Sequence, residues 1–383
     1  MAVGRSDNPD ARTAGAEAIK AALDRGGADL RLVICFAADR YDGAELIAGV
    51  RSLAKDAPLI GCSTAGEIAS TGPGDAGVVV TALGGAGFHV ATRLAENVSH
   101  DLRGAGSAVA DALSEISTQP HRVLLLLADG LAGDQQEIVR GAYAVAGAAV
   151  PLVGGCAGDD LKMIATRQFY GDRSLTNAVV GVAIGSDAPV GIGVRHGWRR
   201  VGEPMLVSAS SGNRVEMLDD RPALDVYLQR LNAPREAHSD ASAFTHFAQT
   251  HPLGLARRSG EDHVRFVSGA DFEARAVLCI AEVPQGGLTW LMEGDATSVL
   301  DATDAACLEA IDALGGRAPI GLLTFDCIAR KGVLGVGVDD EVARVAAHAG
   351  KAPVAGFYTY GEIARTRGVT GFHNQTLVVL ALS

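Results

Sequence analysis

APLIGCSTAGEIA, residues 57–69, returns near the far end of the chain as KAPVAGFYTYGEIA, residues 351–364. A looser third version, VPLVGGCAGDD, occupies residues 150–160. Each follows proline with a short apolar run and ends in glycine and small or hydroxyl-bearing residues. Only small residues follow such a backbone path easily, and Gly61, Gly66, Gly154, Gly155, Gly158, Gly356 and Gly361 can take positive φ without strain. The three stretches therefore read as equivalent strand ends.

The residues before each stretch support that reading. RLVICFA (31–37) is strand-like, GAELIAGVRSLAKD (43–56) has helical periodicity, and PLIG closes the unit. RVLLLLA (122–128), DQQEIVRGAYAVAG (134–147) and PLVG repeat it, as do GLLTFDC (321–327), DDEVARVAAHAG (339–350) and PVAG. Strand, helix and strand within about thirty residues is the length of a parallel crossover unit. GVVVTAL and FHVATRL (77–83, 88–94), then NAVVGVAIG and VGIGVRHGW (177–185, 190–198), read as β-hairpins around turns. The expectation is a mixed α/β fold of repeated strand-helix-strand-hairpin units in two packed halves.

The chain has 383 residues, 48% of them hydrophobic, and a mean hydropathy of +0.19, enough for large cores. A formal charge of −12 and the lack of a basic run with interleaved aromatics argue against nucleic-acid binding. No run reaches the roughly 18 apolar residues of a membrane span, and the N-terminus lacks a signal-peptide core, so a cytoplasmic location is expected. The six cysteines show neither a Cys-x-x-Cys pair nor zinc-site spacing, and the absence of Cys-x-x-Cys-His excludes covalent c-type haem.

Residues 1–13 are polar and read as a flexible tail, with a helix from Ala14. The polar, turn-rich stretch 202–220 places a boundary between 14–215 and 216–383. Beyond it, Ala223, Leu224, Tyr227, Leu228 and Leu231 share one helix face. Residues 233–260 lack clean periodicity and hold His238, His246 and His251, a long segment of the kind that often carries function.

GCSTAGEI (61–68), HGWRRVG (196–202), AL-x-x-Y (223–227), FDC-x-x-R (325–330), AGFYTYGEI (355–363) and FHNQT (372–376) occur in the order of the FIST family, a bacterial sensory module with N-terminal and C-terminal parts. The chain resembles that family over nearly its whole length. The resemblance implies a small-molecule or gaseous ligand and a signalling partner, such as a sensor histidine kinase. It is also similar to a stand-alone branch that binds haem b, senses nitric oxide and acts on a separate histidine kinase. A haem-free sensor of an amino acid or similar metabolite is the alternative, and a homodimer stays open.

Residue by residue, Ser63 and Thr64 offer hydroxyls, Glu67 a charge, and the backbone a concavity for an anion. A tight strand exit with hydroxyls capping the backbone fits equally well. The second copy adds Tyr358, Thr359, Tyr360 and Glu362. Since α/β sheets bind ligands beyond their strands' carboxyl ends, one pocket shared by both copies is expected, with Gly61 and Cys62 beside it. Arg330 suits either a ligand carboxylate or haem propionate, or a buried acid, and pairing with an acid is favoured. His373 and Asn374 serve the fold or the common pocket. An enzyme using Cys62 or Ser63 finds no neighbouring base in the sequence. For haem, the expected axial ligand is His251, walled by Phe244, Phe247, Leu253 and Leu255 with Arg257 and Arg258 for the propionates, and His196 beside Trp198 and Arg199 is the alternate.

Overall fold

The computed structural model describes residues 1–26, 29–256, 262–366 and 371–383. The chain is mixed α/β, and its repeat is threefold. The first unit runs strand Ala2–Ser6, helix Ala11–Arg25, strand Leu30–Ala38, helix Gly43–Ala54, strand Leu59–Thr64 and strand Val78–Gly84. The second runs Phe88–Glu96, helix Leu102–Ala110, His121–Ala128, helix Gln135–Ala146, Leu152–Cys156 and Ala178–Ser186. The third runs Val190–Arg195, helix Ala296–Asp312, Gly321–Cys327, helix Val338–Ala349, Val354–Thr359 and Leu377–Leu382, with residues 199–293 inserted after its opening strand. In each unit the two strands joined by the second helix are parallel. The closing strand lies antiparallel beside the first of that pair, and the opening strand flanks the closing one. The crossover helices of the first two units start on Asp42 and Asp134, whose carboxylates accept first-turn N–H groups.

The units are closed by exchange. Just beyond the first unit's glycine motif, Glu67–Ala69 pairs with the third unit's Val354–Thr359, placing Ile68 opposite Gly356. Glu362–Arg365 pairs with the second unit's Leu152–Cys156, placing Ile363 opposite Gly154. Gln168–Tyr170 pairs with the first unit's Leu59–Thr64, placing Phe169 opposite Gly61. Each unit lends a strand to the one before it, the first to the third, so the ring closes and every one of these six-stranded sheets contains a foreign strand. Register now identifies Glu67, Gln168 and Glu362 as equivalent positions.

Strand alternation sorts the core. Leu32, Ile34 and Phe36 face a central cluster with Leu125, Leu127, Phe325 and Phe357 from the other units. Val33, Cys35 and Ala37 face the helices, against Ile19, Leu46 and Val50. Phe36 lies 4.7 Å from Phe357, ring centre to ring centre, where the sheets meet.

Several expectations need correction. Residues 1–13 are not a tail: Ala2–Ser6 is a mostly buried strand paired with Val78–Gly84, and the helix begins at Ala11 on an Asp10 cap. Within that short stretch Ala2 and Val3 are buried, and Gly4 lets helix Ala11–Arg25 pack close, since a Cβ there would lie 2.0 Å from the Ala18 carbonyl oxygen. The two strand pairs read as hairpins do not pair. Phe88–Glu96 leaves Val78–Gly84 to join Ala178–Ser186, and Val190–Arg195 crosses to Leu377–Leu382, because each opens the next unit. The boundary expected at 215/216 cuts strand Arg214–Leu218, which is paired with Arg199–Ser211 inside the insertion.

That insertion has its own eight-stranded sheet and its own core, including Met205, Leu224, Tyr227, Phe244 and Leu291. The stretch read as irregular contains helix Ala241–Ala248, capped by Asp240, and strand Leu253–Leu255. Both are too short for periodicity to reveal. Hydrogen bonds from the Trp198 indole to the Gln375 carbonyl (3.1 Å) and from the Gln375 amide to the Gln249 carbonyl (2.7 Å) fasten the insertion to the FHNQT turn. Among the described residues no helix is long and apolar enough to cross a membrane.

Candidate functional site

The two full motifs build the same turn. Thr64 Oγ1 donates to Glu67 Oε1 (2.6 Å) and accepts from Gly66 N–H, while Glu67 Oε2 accepts from Gly77 N–H. Likewise Thr359 donates to Glu362, Gly361 N–H donates to Thr359 Oγ1, and Thr376 N–H donates to Glu362 Oε2. Gly66 (φ 120°) and Gly361 (φ 144°) supply the positive φ that the turn requires. All four polar side chains are buried. Burial pushes the Glu67 carboxyl up to about 7 and that of Glu362 to about 8, with the hydroxyl and N–H donors offsetting only part.

These turns meet across the exchange: Tyr358 N–H donates to the Gly66 carbonyl (2.8 Å) and Ala65 N–H to the Tyr358 carbonyl (3.1 Å). The two copies thus converge, but on each other. Ser63 is also consumed, donating to the Gly158 carbonyl and accepting from Arg167 N–H. Burial, then the neighbouring Cys35 and Cys156, raises the Cys62 thiol well above its ordinary value, which removes the thiolate a nucleophile needs. Gly61 and Gly356 do not take positive φ. A Cβ there would sit 2.0 Å from the Cys35 carbonyl oxygen and 2.1 Å from that of Thr324, so close strand approach excludes a side chain; Gly154 repeats this at 1.9 Å from Leu126.

Arg330 pairs with acids. Fully buried, it bonds Asp326 (2.8 Å) and Glu341 and also donates to the His196 carbonyl (3.0 Å). His373 lies 2.9 Å from the Ala364 carbonyl and stacks on His263, while Asn374 donates to the His373 carbonyl, all within the buried turn that presents Thr376 to Glu362. Tyr358 is buried beneath Lys331.

The third turn is different. Where the other units close in a Thr-x-x-Glu turn, the second unit interposes residues 157–167 before Gln168. Asp159 organises this loop, accepting N–H groups from Met163, Ile164 and Ala165 and the hydroxyl of Tyr360, which itself accepts from Leu161 N–H. Burial pushes the Asp159 carboxyl up, and these donors outweigh it, holding it below the ordinary range. Asp160, Leu161 and Met163 adopt positive φ of 55–59°, a conformation that costs of order 1 kcal/mol or more each and persists only when surroundings impose it. Beside the loop lies a cavity of about 320 Å³, lined among others by Asp129, Leu131, Ile164, Thr166 and Asn177. Asp129 stands just beyond strand His121–Ala128, at its carboxyl end. Of the site residues singled out in the sequence, Tyr360 and Ser63 reach this region, both through their bonds to the loop. Asp129 and Thr166 were missed because they form no motif; the weakness of the third repeat was the available signal.

A haem would need a neutral imidazole with an outward lone pair. His251 Nδ1 lies 2.8 Å from the Phe247 carbonyl, which can only accept, so Nδ1 bears a proton, and in the neutral tautomer this leaves the lone pair on Nε2. The half-buried ring stacks on Phe247. Of the expected walls, Phe244 and Leu253 are spent in the insertion's core, and Arg257 and Arg258 lie outside the described residues. His196 does not fit. Its Nδ1 accepts from Trp198 N–H, which puts the proton on Nε2, and burial followed by the Arg330 charge lowers its pKa to about 4.

The pocket beside Asp129 thus lies at a strand's carboxyl end, the place where open α/β sheets hold ligands. The chain belongs to the FIST family: residues 31–221 match the FIST N domain and residues 223–365 the FIST C domain. FIST domains are sensory domains of signal transduction that bind small ligands. The chain is similar to an uncharacterized protein of Mycobacterium tuberculosis, 27% identical over 387 residues, covering 98% of this chain and 97% of that one. It is also similar to an uncharacterized protein of Mycobacterium bovis, 30% identical over 236 residues, 59% of this chain and 58% of the other. Strand exchange interlocks the two family regions, since Glu67–Ala69 completes the sheet of Val354–Thr359.

Proposed function

We propose that the protein senses a small metabolite in the cavity of the second unit and reports its occupancy to a separate signalling protein, such as a sensor histidine kinase, through the 157–167 loop. The observation that carries this reading is the broken symmetry: two of three equivalent turns are sealed by Thr–Glu pairs, and the third is a built loop beside a cavity. Ile164 belongs to both sides, lining the cavity and standing 79% exposed, with Leu161 and Met163 also exposed. A ligand touching Ile164 would alter the apolar surface a partner meets. Screening metabolites by thermal shift and by methyl NMR tests this. A true ligand moves the Ile164 and Thr166 signals, and ligands that raise the melting temperature while moving neither would refute it.

A second reading, haem b at His251 sensing nitric oxide, is favoured by the tautomer at His251 alone. There Nε2 would face the iron and Phe247 one side of the ring, and the haem would supply the gas-binding centre. Adding hemin and recording a Soret band that the His251→Ala variant loses would support it; no band in the unaltered protein would remove it.

A further inference from the structure

We propose that the ligand of this cavity is a small organic cation, held by an ammonium or guanidinium group on the carboxylate of Asp129. The inference rests on the cavity being the ligand site and names what the site selects. Asp129 is the one charged side chain among the described residues lining it, and it is 6% exposed. It accepts from Thr166 Oγ1 (2.7 Å), Leu131 N–H (2.9 Å) and Asn177 N–H (2.6 Å), all neutral donors. Among the described residues no lysine, arginine or histidine pairs with it. Buried carboxylates are ordinarily paired with a cation, and here the carboxylate-bearing residue lines a pocket instead.

The donors also fix its geometry. An ionised carboxylate has about four acceptor positions, and three are taken, which leaves room for one directed bond from a ligand. Thr166 is oriented in turn by Gly130 N–H and Gln168, so the carboxylate is aimed before the ligand arrives. With no cationic side chain among the described residues of the lining, a carboxylate or phosphate finds no counter-charge there, whereas the protein's net charge of −12 draws cations toward it. Leu131, Ala132 and Ile164 supply apolar contact for a short carbon chain.

The test uses the full chain with methyl-labelled Ile, Ala and Thr and three probes of one shape: butylamine, butan-1-ol and butyrate. Butylamine is expected to shift the Ile164 and Thr166 methyls and to bind about tenfold or more tighter than butan-1-ol, as a charge-assisted bond implies. Asp129→Asn should abolish that preference. Because Asp129 also ties its loop, Ala132→Lys gives an independent check: it leaves the three hydrogen bonds in place, puts a competing ammonium in the cavity, and should remove amine binding without lowering the melting temperature. Equal binding of butan-1-ol, tighter binding of butyrate, or amine binding that survives Ala132→Lys would overturn the cation inference while the cavity stands. If none of the three probes moved either methyl, the cavity assignment would fall with it.

Discussion

Glu362 allows a quantitative test of the sealed turns. Its carboxyl is fully buried and its pKa lies near 8, against an ordinary value of 4.5. Between those values the folded chain holds a proton that the unfolded chain has released, so stability must fall as pH rises. The stabilisation is complete below about 4.5 and is lost as pH climbs through 8. At 1.36 kcal/mol per pKa unit, Glu362 alone should cost the fold about 3 kcal/mol between pH 5.5 and 8.5, as an order of magnitude. Glu362→Gln keeps the shape and stays neutral, and Gln168 already occupies the equivalent position in the second unit. Urea unfolding at the two pH values should show a steep loss for the unaltered protein and a loss smaller by about that amount in the variant. Equal slopes in both proteins would refute the claim that this carboxyl is buried and protonated.

Other outcomes follow from the same geometry. Replacing Arg330 with methionine strands Asp326 and Glu341, both buried, and should lower stability by about 3–5 kcal/mol in chemical denaturation. Replacing Gly154 or Gly356 with alanine drives a Cβ onto a backbone oxygen and should cost at least about 1–3 kcal/mol by the same assay. Tyr360→Phe removes the hydroxyl joining Asp159 to Leu161 N–H, and faster amide exchange confined to residues 159–165 is the expected result. With hemin, the His196→Ala variant should bind as the unaltered protein does, because the Nδ1 lone pair of His196 is already engaged by Trp198.

The repeat was legible because its cause is local. A proline, an apolar run and a glycine where strands crowd recur at Gly61, Gly154 and Gly356, and buried strands and crossover helices carry their own periods. The parallel pair of each crossover unit was legible too, but the partners of the unit-opening and exchanged strands were not. The sequence of Val78–Gly84 and Phe88–Glu96 is that of a hairpin, and only the next unit's need for an opening strand sends the second one away. The Thr-x-x-Glu motifs drew attention because they are regular, and they are regular because they fasten the ring. Asp129 and Thr166 escaped notice because they come together only when the 157–167 loop folds back, 37 residues along the chain.

The most direct test of the account is a crystal structure of the protein with the ligand that co-purifies with it or that the screen identifies. The ligand should lie in the cavity against Asp129, Thr166 and Ile164, with the bonds Thr64–Glu67 and Thr359–Glu362 unbroken. A ligand seated between those two turns, or haem on His251 with the cavity empty, would contradict it.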